Sequence, residues 1–217
     1  MNDEELYGNM AMLSYENAYY LREEAKLLFD NQRYPRAFAL AVLSIEEQTK
    51  SLICKCISAG IMKPEELTTR DKGGRIRNVL KDHEAKQFLF GFIEAGSKAV
   101  KDNVDKMFTP NPTNEIPDIG TLNMEGAKDV IGKFKSMKVD RESAIYVGMD
   151  GEQIITPYKQ FGPERSKEML DFASGFLKYW TTLLSLSTPD YRAYYSQFDV
   201  MKEIIESNLT NHDRTIP

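Results

Sequence analysis

Five side chains in two stretches of this 217-residue chain are of the types that move protons and hold phosphate: Glu46, Glu47 and Lys50, then His83 and Lys86. In the first stretch Ala39, Leu43, Glu46, Lys50, Ile53 and Ile57 recur at steps of three and four, which on a helix is one row. A carboxylate and an ammonium interrupt that apolar stripe, and Glu47 lies on the adjacent row with Leu40, Ser44 and Cys54. In the second stretch Val79, His83, Lys86, Phe90, Ile93, Ser97, Val100 and Val104 form a row of the same kind. Placing ionised groups in a low-dielectric interior costs several kcal/mol per ion unless they are paired. Two readings meet that requirement. One is a structural ion pair between Glu46 or Glu47 and Lys50, with Lys50 reaching past the packed surface into water. The other is a site where the two helices, as consecutive elements, bring Glu46, Glu47, Lys50, His83 and Lys86 together, with Arg75 and Arg77 just upstream of His83.

The chemistry of that set is proton transfer beside anions. Histidine is the side chain whose charge changes around neutral pH, and cations around a lone histidine suit a phosphodiester. Transition-metal sites want more imidazole or thiolate than this set holds. Cys54 and Cys56, two residues apart on a helix, point to roughly opposite sides and cannot pair with each other. Structural zinc needs about four ligands, so neither a metal nor a cofactor is expected. No P-loop and no GxSxG elbow occurs. The 28 Lys and Arg against 33 Asp and Glu give a net charge of −5 and a pI near 5.3, which disfavours nonspecific coating of nucleic acid. Locally the balance reverses: Arg70, Lys72, Arg75, Arg77 and Lys81 face the single acid Asp71 between positions 70 and 81.

The elements that must position these residues follow from periodicity and punctuation. A first helix is predicted from Glu4 to about Asn31, broken by Arg33, Tyr34 and Pro35. A second runs from about Arg36 to Ala59, with Pro35 near its first position and Gly60 just past its end. Its first half, Ala37 to Ile45, is apolar all round except Ser44, so it must be enclosed on most sides. Pro64 and Gly73-Gly74 mark a loop, and a long third helix is predicted from Ile76 to about Met107. Pro110, Pro112 and Pro117 make an irregular connection, followed by a weak helix from Met124 to Met137. Ala144 to Val147 and Gln153 to Thr156 read as a hairpin around Asp150-Gly151. The segment from about 109 to 162 is thus expected to be an insertion decorating one helical domain that spans 1–217. Further helices are predicted from Pro163 to Pro189 and from Asp190 to Asn208, before a polar tail. The expected fold is an all-α up-and-down bundle with an inserted loop and a small β-hairpin. No run of about 18 apolar residues occurs and the first residues are acidic, so neither a membrane span nor a secretory signal is expected and the cytoplasm is the expected location.

Tyr34-Pro35-Arg36-Ala37-Phe38-Ala39-Leu40-Ala41, followed by Ser44-Ile45-Glu46-Glu47 and Lys50, resembles the helix of AbiV-type abortive-infection proteins, a branch of the HEPN superfamily. Asp82-His83-Glu84-Ala85-Lys86 resembles their His-x-x-Lys element, and Ala144-Ile145-Tyr146-Val147 with Asp150-Gly151 and Pro157 resembles their late hairpin. The resemblance implies a helical bundle, often a homodimer. Many HEPN members are metal-independent ribonucleases with an Arg-polar-x(n)-His motif, which Arg77-Asn78 and His83 fit. On that basis His83 is the expected general base or acid, Arg77 the residue that stabilises charge on the phosphoryl oxygens, and Lys86 or Lys50 the assisting cations. Glu46 or Glu47 would orient them. Arg70, Lys72, Arg75, Asn78 and Lys81 are the expected RNA contacts. The resemblance also implies a dormant toxin in phage defence, awaiting a phage-encoded or host protein trigger. A noncatalytic helical binding module is the competing class. An antitoxin would fit the acidic pI but would not explain the basic segment.

Overall fold

The computed structural model of the chain describes residues 2–70, 76–78, 80, 81, 83, 86, 137–151 and 153–184. Helix α1 (Asp3–Asp30) starts where Asn2 Oδ1 accepts a hydrogen bond from the Glu5 N–H at 2.8 Å, and Asp3, Glu4 and Glu5 sit at the positive end of its dipole. It stops at Asn31, whose Nδ2 donates to the Leu27 carbonyl at 2.8 Å, and Gln32 takes φ 60° to turn the chain. Helix α2 (Tyr34–Ser58) carries Pro35 in its first turn. Gly60, at φ 70°, ends it as expected.

The two helices lie close because α1 presents Ala11, Ser14, Ala18 and Ala25 to α2, all buried. Three alanines at seven-residue steps form a seam without bulk. Two serines of α2 reach across it. Ser44 Oγ donates to the Ala18 carbonyl and Ser51 Oγ to the Ala11 carbonyl, each at 2.7 Å. Their order is reversed along the two chains, so the helices are antiparallel. Between them Gln48 Nε2 donates to Ser44 Oγ at 3.0 Å and to the Ala173 carbonyl at 3.2 Å. The polar row Ser44, Gln48 and Ser51 thereby ties α2 to both neighbours, which is why an enclosed helix carries hydroxyl and amide groups.

After a 3-10 turn (Pro64–Leu67), strands β1 (Thr68–Arg70) and β2 (Ile76–Asn78) pair antiparallel, with Thr69 opposite Arg77. Helix α3 (Met137–Ile145) leads into β3 (Gly148–Asp150) and β4 (Gln153–Ile155), a second antiparallel pair, then the short α4 (Pro157–Gln160) and the long α5 (Pro163–Leu184). Ser166 Oγ donates to the Tyr34 carbonyl at 2.8 Å, and the Tyr15 and Thr181 hydroxyls share a 2.6 Å hydrogen bond, so α5 spans both helices of the α1/α2 hairpin. The core gathers Phe38, Val42, Ile45 and Leu52 of α2, Leu170, Ala173 and Phe176 of α5, Met137 and Ala144 of α3, and Phe161. Phe38 and Phe161 pack with ring centroids 4.6 Å apart and planes tilted by 45°.

The molecule is mostly helical with small antiparallel β-pairs, in line with the expected class. Two predicted elements are corrected. Ile76–Asn78 is a strand rather than the start of the third helix: β-branched Thr68 and Thr69 stand across from it, and Gly73-Gly74 lies between. The Asn78 Oδ1 then accepts the Leu80 N–H at 2.9 Å, turning the chain before the helical positions His83 and Lys86. Ala144 and Ile145 end α3 instead of opening a strand, because Met137 and Ala144, seven apart, are both buried in the core. Packing there overrides the β preference of the run, and the first hairpin strand falls at Gly148–Asp150, with Gly151 at φ 58° in the turn. The third helix beyond Lys86, the proline-rich connection, residues 124–136 and the helix expected from Asp190 to Asn208 lie outside the described residues. Among the described residues no helix is long and apolar enough to cross a membrane.

Candidate functional site

Glu46 sits on the enclosed face of α2 with its side chain 1% exposed, and two cation-capable groups from distant parts of the chain meet it. His83 Nδ1 makes a short hydrogen bond to Glu46 Oε2. Arg141 Nη1 donates to Oε1 at 2.9 Å and to Oε2 at 3.0 Å, and stands 3.1 Å from His83 Nδ1. A carboxylate so buried is tolerable only with such partners.

The arrangement also fixes the imidazole. With Nδ1–H donating to the carboxylate, Nε2 is left as the ring's acceptor, and Arg141 Nη1 directs its protons to Glu46 and not to Nδ1. His83 is 44% exposed while Glu46 is enclosed. One end of the pair is therefore anchored in the core and the other is open to a ligand.

Lys86 follows His83 by three residues and is buried. Burial pushes its ammonium below the usual lysine range, against the upward pull of Glu46 and then Glu47, with Lys50 and Arg141 adding to the depression. Glu47 and Lys50 form their own pair at 3.4 Å, both partly exposed. The two glutamates have thus separated: Glu47 takes the helix-surface ion pair, whereas Glu46 turns inward to His83 and Arg141. Next to that surface pair the Cys54 thiol is pushed up to about 11, first by burial, with Lys50 lowering it and Glu47 raising it. A thiol held protonated is a poor nucleophile.

Of the other sequence-derived candidates, Arg77 is placed on β2 opposite Thr69, and Arg70 ends β1; their side chains lie outside the described residues, as do Lys72 and Arg75 altogether. Lys81 is exposed and its N–H donates to the Asn78 carbonyl at 2.9 Å. Asn78 uses its Oδ1 on the Leu80 N–H, so it shapes the turn that delivers His83.

Arg141 is the residue that sequence reasoning missed. Met137, Arg141 and Ala144 stand at i, i+4 and i+7, a guanidinium in a row whose other members are buried. That is the same signal that singled out Glu46. Dividing this stretch between a helix ending at Met137 and a strand starting at Ala144 hid it.

Among the described residues no three His, Cys, Asp or Glu side chains are grouped to hold a metal ion. What the site offers is an oriented imidazole, a buried carboxylate and converging cations, which can accept a proton and stabilise an anion. No curated protein and no solved structure matches the chain. The family model described as AbiV, HEPN_AbiV, matches residues 7–178, a span that contains Glu46, His83, Lys86 and Arg141. The chain belongs to the AbiV family of HEPN proteins.

Proposed function

We propose that this protein is a metal-independent endoribonuclease of phage defence, acting by abortive infection, and that it cleaves RNA by attack of a 2′-hydroxyl on the adjacent phosphate. The supporting observation is the buried Glu46 carboxylate that holds the partly exposed His83 by Nδ1. Nε2 takes the proton of the 2′-hydroxyl, the 2′-oxygen bonds to phosphorus, and the 5′-oxygen departs with a proton from solvent, while Lys86 assists as a buried cation beside the site. The products are a 2′,3′-cyclic phosphate and a 5′-hydroxyl. Glu46 stabilises the imidazolium that forms, and such general-base assistance contributes about 10² to 10⁴ in rate. Arg77 stabilises charge on the phosphoryl oxygens, and the basic segment from Arg70 to Lys81 gives RNA a local landing site on an acidic chain. Two copies whose sites meet across a dimer axis would share one positively charged cleft. A phage-encoded or host protein releases the activity in the cytoplasm, which spares the uninfected cell.

A second reading, a noncatalytic helical binding module, draws on one specific feature: Glu46 is satisfied from two sides, as a structural cluster would be. The deciding experiment compares wild type and His83→Ala for cleavage of structured and single-stranded RNA in EDTA, and for protection of cells against phage infection. The expected result is wild-type cleavage and protection, both lost in the variant. Undiminished cleavage or protection by His83→Ala would sink the assignment, and wild-type cleavage abolished by EDTA would replace it with a metal-dependent reaction.

A further inference from the structure

Arg141 reaches Glu46 from α3, and a helix does not by itself fix its rotation about its own axis. Its rotational setting must come from contacts. Met137 and Ala144 bury one side, and the residue beside Arg141 in sequence carries the contact that completes the setting. Asp140 Oδ2 accepts from Arg165 Nη2 of α5 at 2.7 Å. The Arg165 guanidinium lies over two rings: its Cζ stands 4.5 Å from the Phe161 ring centroid and 5.5 Å from that of Phe38. Both rings are about 1% exposed, so the half-exposed Arg165 lies over enclosed core side chains and projects from them to α3.

We infer that Arg165 is a positioning residue for Arg141: by fixing Asp140 it sets the rotation of α3 that aims the Arg141 guanidinium at Glu46 and His83. The inference rests on the proposed reading of the Glu46, His83 and Arg141 cluster as the working site. A surface ion pair is ordinarily worth little in stability. This one differs because one partner is already held against two rings, so little side-chain freedom is lost in forming it. Its effect is geometric, and a misplacement of about 1 Å at a reacting site can cost on the order of 10² in rate.

The chain has only two histidines, His83 and His212, so the ring nitrogen resonances of His83 can be followed by NMR and assigned with His212→Gln. Arg141→Met should displace the His83 Nδ1 resonance. Arg165→Met and Asp140→Asn should each reproduce a large part of that displacement with the fold retained, Arg165→Lys should reproduce little of it, and Arg165→Met should add nothing in the Arg141→Met background. RNA cleavage should fall about tenfold or more in Arg165→Met. Wild-type His83 resonances in both Arg165→Met and Asp140→Asn, or an equal displacement with Arg141 already removed, would overturn the inference. Should Arg165→Met fail to fold, Asp140→Asn carries the same comparison. The resonances need no substrate: a wild type that cleaves no RNA while the resonances behave as expected refutes the ribonuclease reading and leaves the positioning role standing.

Discussion

Arg141 and Glu46, 95 positions apart in the chain, meet through a single guanidinium nitrogen that lies 2.9 Å from one carboxylate oxygen and 3.0 Å from the other. The carboxylate keeps further lone pairs, and His83 Nδ1 uses one of them on Oε2. Arg141 is 11% exposed and Glu46 1%, so their pairing offsets the cost of enclosing both charges.

Breaking that pair from one side should be far costlier than removing both ends. Glu46→Met strands a nearly buried guanidinium and should destabilise the protein by about 3 kcal/mol or more, whereas Glu46→Met with Arg141→Met should cost much less than the sum of those two single changes. Urea denaturation of the two single variants and the double variant measures this. The double variant should fold and yet cleave no RNA. A folded double variant with wild-type cleavage would show that Glu46 and Arg141 serve the fold and not the reaction.

Lys86 gives stability a sign that depends on pH. Its proton is held less tightly in the folded protein than in the unfolded chain, because burial outweighs the pull of Glu46 and Glu47. The stability linked to it is therefore fully present above the ordinary lysine value of 10.5 and is lost as pH falls through its lowered folded value. Lys86→Met removes that term. The variant should be more stable than wild type at neutral pH, and its advantage should shrink as pH rises toward 10.5. Urea midpoints of both proteins at neutral pH and near pH 10 test it; an advantage that grows with pH would reverse the sign assigned to the burial of Lys86.

The α1/α2 seam depends on residues without bulk. Ala18 is fully buried, and its carbonyl accepts from Ser44 Oγ. Ala18→Leu would wedge the helices apart there and should cost about 1–3 kcal/mol, read as a lower urea midpoint. Substituting exposed Leu13 with Ala should change stability far less.

How much of this was legible in the sequence follows from what kind of signal each part has. Helices α1, α2 and α5 announce themselves through long periodic rows and the punctuation of Pro35, Gly60 and Pro163, since a helix of 20 or more residues must bury a stripe whatever its neighbours do. Glu46, His83 and Lys86 were visible because charge in an apolar row stands out. The separation of Glu46 from Glu47 was not: adjacent glutamates differ by about 100° around a helix, and only the position of α3 decides which one is enclosed. Arg141 escaped because its row crosses the point where a helix ending at Met137 gave way to a competing β-type run from Ala144. Ile76–Asn78 reads as helix or strand equally well over so short a stretch, and pairing with Thr68–Arg70 settles it.

Asn78 separates two roles that its position allows. As a contact to RNA, its amide nitrogen would matter, and a carboxylate in its place would repel phosphate. As the residue that shapes the turn into the His83 helix, only its Oδ1 matters, because that atom accepts the Leu80 N–H at 2.9 Å. Aspartate supplies the same acceptor and alanine does not. The geometry therefore points to a specific ranking: Asn78→Asp should keep wild-type stability and the wild-type setting of His83, while Asn78→Ala should lose about 1 kcal/mol and displace the His83 ring resonances. Urea denaturation and the His83 resonances read the turn, and RNA affinity measured on the same two variants reads the contact. If Asn78→Asp weakens RNA binding more than Asn78→Ala does, with stability unchanged in both, the side chain serves the RNA and the turn forms without it.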